Sequence, residues 1–185
     1  MKSMNSAYKL FGIAALCLAS ITSVVAQGTL DDALKAINDK RFSKAVEILT
    51  PLANSNNAYA QLRLGTLYYH GQGTAEDEKM AVHWWKKSAA QGNVEAMFEI
   101  ANAYLYGNQA AKSVVDSDRE AATWYFQAAS AGHAEAQYHL GLLFLAGKGV
   151  ISNQDEALRW FRKAADQGHT EAKRAMSDVS SKKKR

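Results

Sequence analysis

The chain has 185 residues, with 22 Lys and Arg against 18 Asp and Glu, and a single cysteine. The basic excess sits at the ends: two cations precede position 27 and four are Lys182, Lys183, Lys184 and Arg185, leaving 16 against 18 acidic residues between them. A slightly acidic body excludes the broad basic face of a nucleic-acid binder, and the absence of cysteine after Cys17 excludes a fold held by disulfides.

The first element reads as a secretory signal. Lys2 and Lys9 form a basic start, Leu10 to Ala26 is apolar and uncharged, and Val24-Val25-Ala26 fits a cleavage site that leaves Gln27 as the new N-terminus. The other reading is an uncleaved anchor, but the run is at the lower length limit for a span and is diluted by Ser and Thr. Leu16 stands where a lipoprotein site needs a small residue before Cys17. A periplasmic or secreted chain of about 159 residues is expected, which suits one domain. No second apolar stretch is long enough to span, so the mature chain is expected to be soluble.

Residues 29–56 read as a degenerate helix hairpin, with Leu34 and Ile37 on its first helix and Ala45 and Ile48 on its second. Pro51, the sole proline, falls late in that second helix, where a kink can form. Three longer blocks follow: Asn57 to Gly92, Asn93 to Gly132 and His133 to Gly168. Ala60, Ala96 and Ala136 are equivalent in them, as are Leu64, Ile100 and Leu140, then Tyr68, Tyr104 and Phe144. Gly71, Gly107 and Gly147 match, and so do Trp84, Trp124 and Trp160. A period of 36 to 40 residues means a stacked array rather than one globular core.

Each block reads as two helices. The first helices run over Ala58 to His70, Val94 to Tyr106 and Ala134 to Ala146; the second over Glu76 to Gln91, Ser117 to Ala131 and Gln154 to Gln167. Gly71 and Gly73, or Gly147 and Gly149, end the first helix, and Gly92, Gly132 and Gly168 end the second. Asp77, Asp118 and Asp155 fall in or near the first turn of each second helix, where negative charge suits the dipole. Ala60, Ala81, Ala89 and Ala90, with Gly65 and Gly141, are small where helices must approach closely, while Tyr68 and Trp84 fill the space between hairpins. The middle block carries four extra residues in Asn108 to Asp116, read as a surface loop or a partner contact. A capping helix over 169–180 completes nine helices, and the basic tail 182–185 follows. The fold class is all-α, an α-solenoid of stacked hairpins.

Nothing in the sequence assembles a catalytic or metal constellation. His70, His83, His133, His139 and His169 lack ligand spacing, and His133 and His169 share one repeat position a repeat apart. Gly71-x-Gly73 is a helix terminator, not a phosphate loop. No cofactor and no metal are expected, and no pair of carboxylates is brought together by the sequence.

With these residues in hand, the chain resembles the Sel1-like repeat family, a branch of the tetratricopeptide-type solenoids. The resemblance rests on Ala58-x-Ala60-Gln61, Leu64-Gly65, Tyr68, Gly71-x-Gly73, Ala81, Trp84-Trp85, Ala89-Ala90 and Gly92, and on Ala134-x-Ala136-Gln137, Leu140-Gly141, Phe144, Gly147-x-Gly149, Ala157, Trp160-Phe161, Ala164-Ala165 and Gly168. The middle block departs from it at Asn102 and in its loop. What the resemblance implies is a right-handed solenoid that scaffolds or regulates a partner protein bound on its concave first-helix face. By analogy with the tetratricopeptide layout, the groove positions include Tyr59, Thr66, Tyr69, Glu95, Asn102, Glu135 and Leu142. Leu62, Phe98 and Tyr138 fall at groove positions too, but an apolar stripe is equally read as inter-repeat core. The resemblance also raises a β-lactam or cell-wall hydrolase, an activity credited to a cysteine-rich branch whose paired cysteines this chain lacks. The tail is read either as a solvated, frayed terminus or as a weak contact with a membrane or another acidic surface.

Overall fold

The computed structural model describes residues 28–108 and 116–182. The expected signal segment, the body of the 108–116 insertion and positions 183–185 of the tail lie outside the described residues. Among the described residues there are nine helices and no strand. They are α1 (Leu30–Asn38), α2 (Phe42–Asn54), α3 (Ala58–Tyr69), α4 (Glu78–Ala89), α5 (Val94–Tyr106), α6 (Ser117–Ser130), α7 (Ala134–Ala146), α8 (Gln154–Asp166) and α9 (Thr170–Lys182). Helix pairs in substantial contact are all neighbours in chain order, as in a linear stack of hairpins. Helix α2 runs through Pro51 and three residues beyond it.

Side chains start the helices. Asn57, Asn93 and His133 occupy one place in successive repeats and accept the amide N–H of Ala60, Ala96 and Ala136 at 2.9, 3.1 and 3.1 Å. His169 accepts that of Ala172 at 3.2 Å. The repeat-opening histidines are therefore N-caps, satisfying a helix amide that would otherwise be orphaned. The second helices are capped by Asp77, Asp116 and Asn153. Asp118 and Asp155 sit in the first turn, as expected, and the capping bonds beside them belong to Asp116 and Asn153.

The repeated tryptophans are not the deepest residues. Trp84 and Trp160 are buried and Trp124 is half-buried, but the side chains sealed most completely are their neighbours Trp85, Tyr125 and Phe161. Gly65 and Gly141 explain why. A methyl group at Gly65 would stand 2.6 Å from the Trp85 indole, and one at Gly141 would stand 2.6 Å from the Phe161 ring. Each glycine is the seat of the next helix's aromatic ring, close packing that only a missing Cβ permits. The small pair late in α4 also shifts by one residue. Ser88 and Ala89 are buried and Ala90 is exposed, and the Ser88 hydroxyl donates to the Ala58 carbonyl at 2.7 Å.

Two further devices join the repeats. Gln61 and Gln137 are buried, and their amide nitrogens donate to the carbonyls of Ala53 and Ala129 in the preceding hairpin at 3.0 Å each. Gln91 and Gln167 then donate to the oxygens of Gln61 and Gln137 at 2.7 and 2.8 Å, so both ends of each buried amide are used. The second device is the loop after each first helix. Gly73 and Gly149 have φ of 75° and 68°, and an added Cβ would stand 2.4 Å from the Phe42 carbonyl carbon or 2.0 Å from the Asp118 carbonyl oxygen. These loops lie directly on the opening turn of the previous hairpin's second helix. In the middle repeat Gly107 is extended (φ −71°) rather than left-handed. There the Asn108 amide reaches back to the buried carboxylate of Glu78 in α4 at 3.0 Å.

Candidate functional site

The first helices of three successive repeats line one pocket of about 380 Å³. Tyr69 and His70 come from the end of α3, Phe98, Glu99, Asn102 and Tyr106 from α5, and His139 from α7, with Trp85 of α4 behind them. The α5 residues share a face because positions 98, 99, 102 and 106 recur at helical spacing. Tyr69 packs on Trp85 with ring centroids 5.4 Å apart, and His139 lies 6.0 Å from Phe98 and 6.3 Å from Tyr106. Beneath the pocket, His139 stacks on Tyr125 at 5.2 Å with the planes 8° apart.

A polar chain runs through this aromatic frame. The Tyr125 hydroxyl donates to Asn102 Oδ1 at 2.5 Å, which turns Asn102 Nδ2 toward Glu99 Oε2 at 3.5 Å. Burial pushes the Tyr125 phenol far above its ordinary range, so it is a fixed donor rather than a nucleophile. Burial also raises Glu99, opposed by the Asn102 bond and reinforced by the neighbouring Glu95. The arrangement suits recognition: apolar walls, a carboxylate and an amide of set orientation, with no nucleophile held by a base. Among the described residues no three His, Cys, Asp or Glu side chains gather to hold a metal. No described helix is long and apolar enough to cross a membrane.

A larger hollow, about 690 Å³, lies between the start of α6 and the loop after α7. Its charges match internally, Asp116 with Arg119 at 3.2 Å and Asp118 with Lys148 at 3.3 Å. The smaller pocket is the better site because, among the described residues, no lysine or arginine pairs with its carboxylate; only the imidazoles of His70 and His133 act on it.

A family model for the Sel1 repeat matches residues 58–93, 94–133 and 134–169, one copy for each of the hairpins α3–α4, α5–α6 and α7–α8. The chain belongs to the Sel1 repeat family. This Sel1 repeat protein is 29% identical over 130 residues to a chitin synthase regulator of Saccharomyces cerevisiae, covering 70% of the chain but 18% of that relative's length. Among solved structures it is similar to a Sel1 repeat protein from Oxalobacter formigenes, with 30% identity and a TM-score of 0.72 over 80% of this chain and 59% of that one. It is also similar to a protective antigen of uropathogenic Escherichia coli with an SLR fold, with 35% identity and a TM-score of 0.66 over 72% of this chain and 28% of that one.

Of the groove residues expected from the sequence of this Sel1 repeat protein, only Tyr69 and Asn102 meet in the pocket. Tyr59 lies under the Arg63 guanidinium, 4.7 Å from the ring centre, and accepts its hydrogen bond. Thr66 turns its hydroxyl back to the Leu62 carbonyl at 3.1 Å. Leu142 packs into the C-terminal core cluster. Glu95 and Glu135 serve the seams between repeats. The capping bonds to Nδ1 leave the proton of His133 and His169 on Nε2, which faces Glu95 at 3.1 Å and Glu135 at 2.9 Å. Of the three ambiguous positions, Leu62 is buried core, Phe98 lines the pocket, and Tyr138 packs on His169 at 4.8 Å. Glu99, Tyr106 and His139 fall outside the counted groove positions. A signal was present: the residue before the repeated Leu, Ile or Leu is Arg63, Glu99 or His139, a polar residue of a different kind each time.

His139 gives this Sel1 repeat protein a pH dependence whose sign follows from burial. Burial lowers its pKa from the ordinary 6.5, against the pull of Glu135 and with the push of His169 and His133. The unfolded ring takes up a proton before the folded one does. The stability His139 contributes is therefore present above pH 6.5 and is lost as pH falls toward its lowered pKa. A His139→Gln variant should lose less melting temperature than the parent between about pH 7.5 and about pH 5.5, followed by circular dichroism. Equal losses would remove His139 as the source.

Proposed function

We propose that the chain is an exported repeat protein, periplasmic or secreted, that scaffolds or regulates another protein by docking a segment of it on the concave first-helix face, with no bond made or broken. The observation that carries this reading is the pocket formed by Tyr69 and His70, by Phe98, Glu99, Asn102 and Tyr106, and by His139, one contribution from each of three stacked repeats. A partner lying along that face would cross the repeats in turn, as helices and peptides do in grooves. The regulator named among the relatives agrees in kind. Export rests on Lys2, Lys9, the apolar run to Ala26 and the small residues at its end. The basic tail adds a weak contact with a membrane or another acidic surface.

A tagged chain beginning at Gln27 is to be mixed with an envelope fraction and its bound proteins identified by mass spectrometry. Tyr69→Ala combined with Asn102→Ala should lose the partner while the helical signal stays intact. Unchanged capture would sink the docking face. Recovery of the protein from the cytosol with its first 26 residues still attached would sink export.

A further inference from the structure

We propose that the pocket around Glu99 takes a basic side chain, a lysine or arginine carried by the partner segment; this rests on the docking face proposed above and names what it reads. Three observations converge on a cation. The walls are aromatic, with Tyr69, Phe98, Tyr106 and the His139 ring presented to one space, and ring faces attract cations. Tyr106 is 62% exposed, so its ring is open to an incoming group.

The charge around the pocket is acidic. Glu99 lies in it, and Glu76, Glu78 and Glu99 all act on the Tyr69 phenol. Among the described residues no lysine or arginine acts on Glu99, and the imidazoles that do are His70 and His133, the second of which faces Glu95 at 3.1 Å. The guanidinium of Arg63, which holds the position equivalent to Glu99 one repeat earlier, is occupied by Tyr59. His70 stands at the exposed end of α3, and burial favours the neutral form of His139.

The third observation is the state of the Glu99 carboxylate. Its hydrogen-bond contact is the Asn102 amide at the long distance of 3.5 Å. A half-buried carboxylate whose donor is one long amide contact keeps lone pairs open to an incoming donor. A guanidinium or ammonium seated among the rings would restore what burial removes. Asn102, its orientation set by Tyr125, would hold the carboxylate toward the incoming group.

The test titrates the chain beginning at Gln27 with N-acetyl-arginine amide and with its neutral isostere N-acetyl-citrulline amide, followed by NMR. Arginine should give saturable shifts confined to Phe98–Tyr106, His139 and the Trp85 indole N–H, and citrulline none. Glu99→Gln, which keeps the shape, should weaken arginine binding about ten-fold or more, the scale of one charge-assisted contact. Equal binding of citrulline, shifts elsewhere, or an unaffected Glu99→Gln variant would each overturn the cation site. The partner capture separates this failure from that of the docking face. Full capture by Glu99→Gln, beside loss in the Tyr69→Ala and Asn102→Ala chain, overturns the cation and leaves the face standing. Self-association abolished both by Glu99→Gln and by removing Lys182 to Arg185 would replace the foreign partner with a second copy of this chain.

Discussion

Gly149→Ala should lower stability by about 2 to 5 kcal/mol, through a left-handed backbone costing about 1–2 kcal/mol and overpacking costing about 1–3 kcal/mol. The upper end is expected because the obstacle is backbone. The new methyl would stand 2.0 Å from the Asp118 carbonyl oxygen and 2.8 Å from the Arg119 nitrogen, neither of which can rotate away. Either the loop after α7 lifts or the first turn of α6 distorts. At about 2–4 °C per kcal/mol for a chain of this size, the melting temperature should fall by roughly 10 °C. Gly92→Ala is the control, since Gly92 has φ of 85° with nothing within 4 Å of the added carbon. It should show the backbone penalty alone, about 1–2 kcal/mol. Equal melting temperatures for the two variants would show that the loop does not rest on α6.

Trp85→Ala should cost about 3–5 kcal/mol, the range for emptying a buried aromatic site. Trp85 is 1% exposed, its indole donates to the Leu62 carbonyl at 3.2 Å, and its ring fills the space over Gly65. Against a total stability of about 5–15 kcal/mol this is a large fraction. Stacked repeats touch only their neighbours, so the damage should be uneven. Hydrogen exchange should quicken in α3, α4 and α5 well before it does in α8 and α9. Trp124→Ala provides the contrast: it removes a tryptophan of the repeat signature, but one that is half-buried. A larger denaturant-midpoint loss from Trp124 than from Trp85 would overturn the assignment of the deep position.

The two variants mark where sequence reading succeeds and where it stops. The repeat period could be read because the same small and large residues must recur wherever identical hairpins stack. Gly149 was legible as a helix end, since a left-handed turn favours glycine. Its second duty, lying on Asp118 of the preceding hairpin, depends on a contact between repeats that no local pattern carries. Trp84, Trp124 and Trp160 drew notice because they recur, whereas Trp85, Tyr125 and Phe161 change identity while keeping the deeper place. Recurrence marks a shared constraint and not the degree of burial.

The pocket shows the same division. Tyr69 and Asn102 could be named because groove positions are counted from the repeated Leu-Gly. Glu99 and His139 escaped that count although each differs from its equivalents, and nothing local says that positions 40 residues apart share a wall. By itself, the sequence determined the hairpin unit, its number of copies and the small residues at which helices close up, because packing within and between neighbours repeats with the chain. Only the tertiary structure decided which faces meet. The stacking of α3, α5 and α7 brings the acid, amide and rings of α5 into one space with rings from the repeats on either side, and that proximity depends on how hairpins settle against one another.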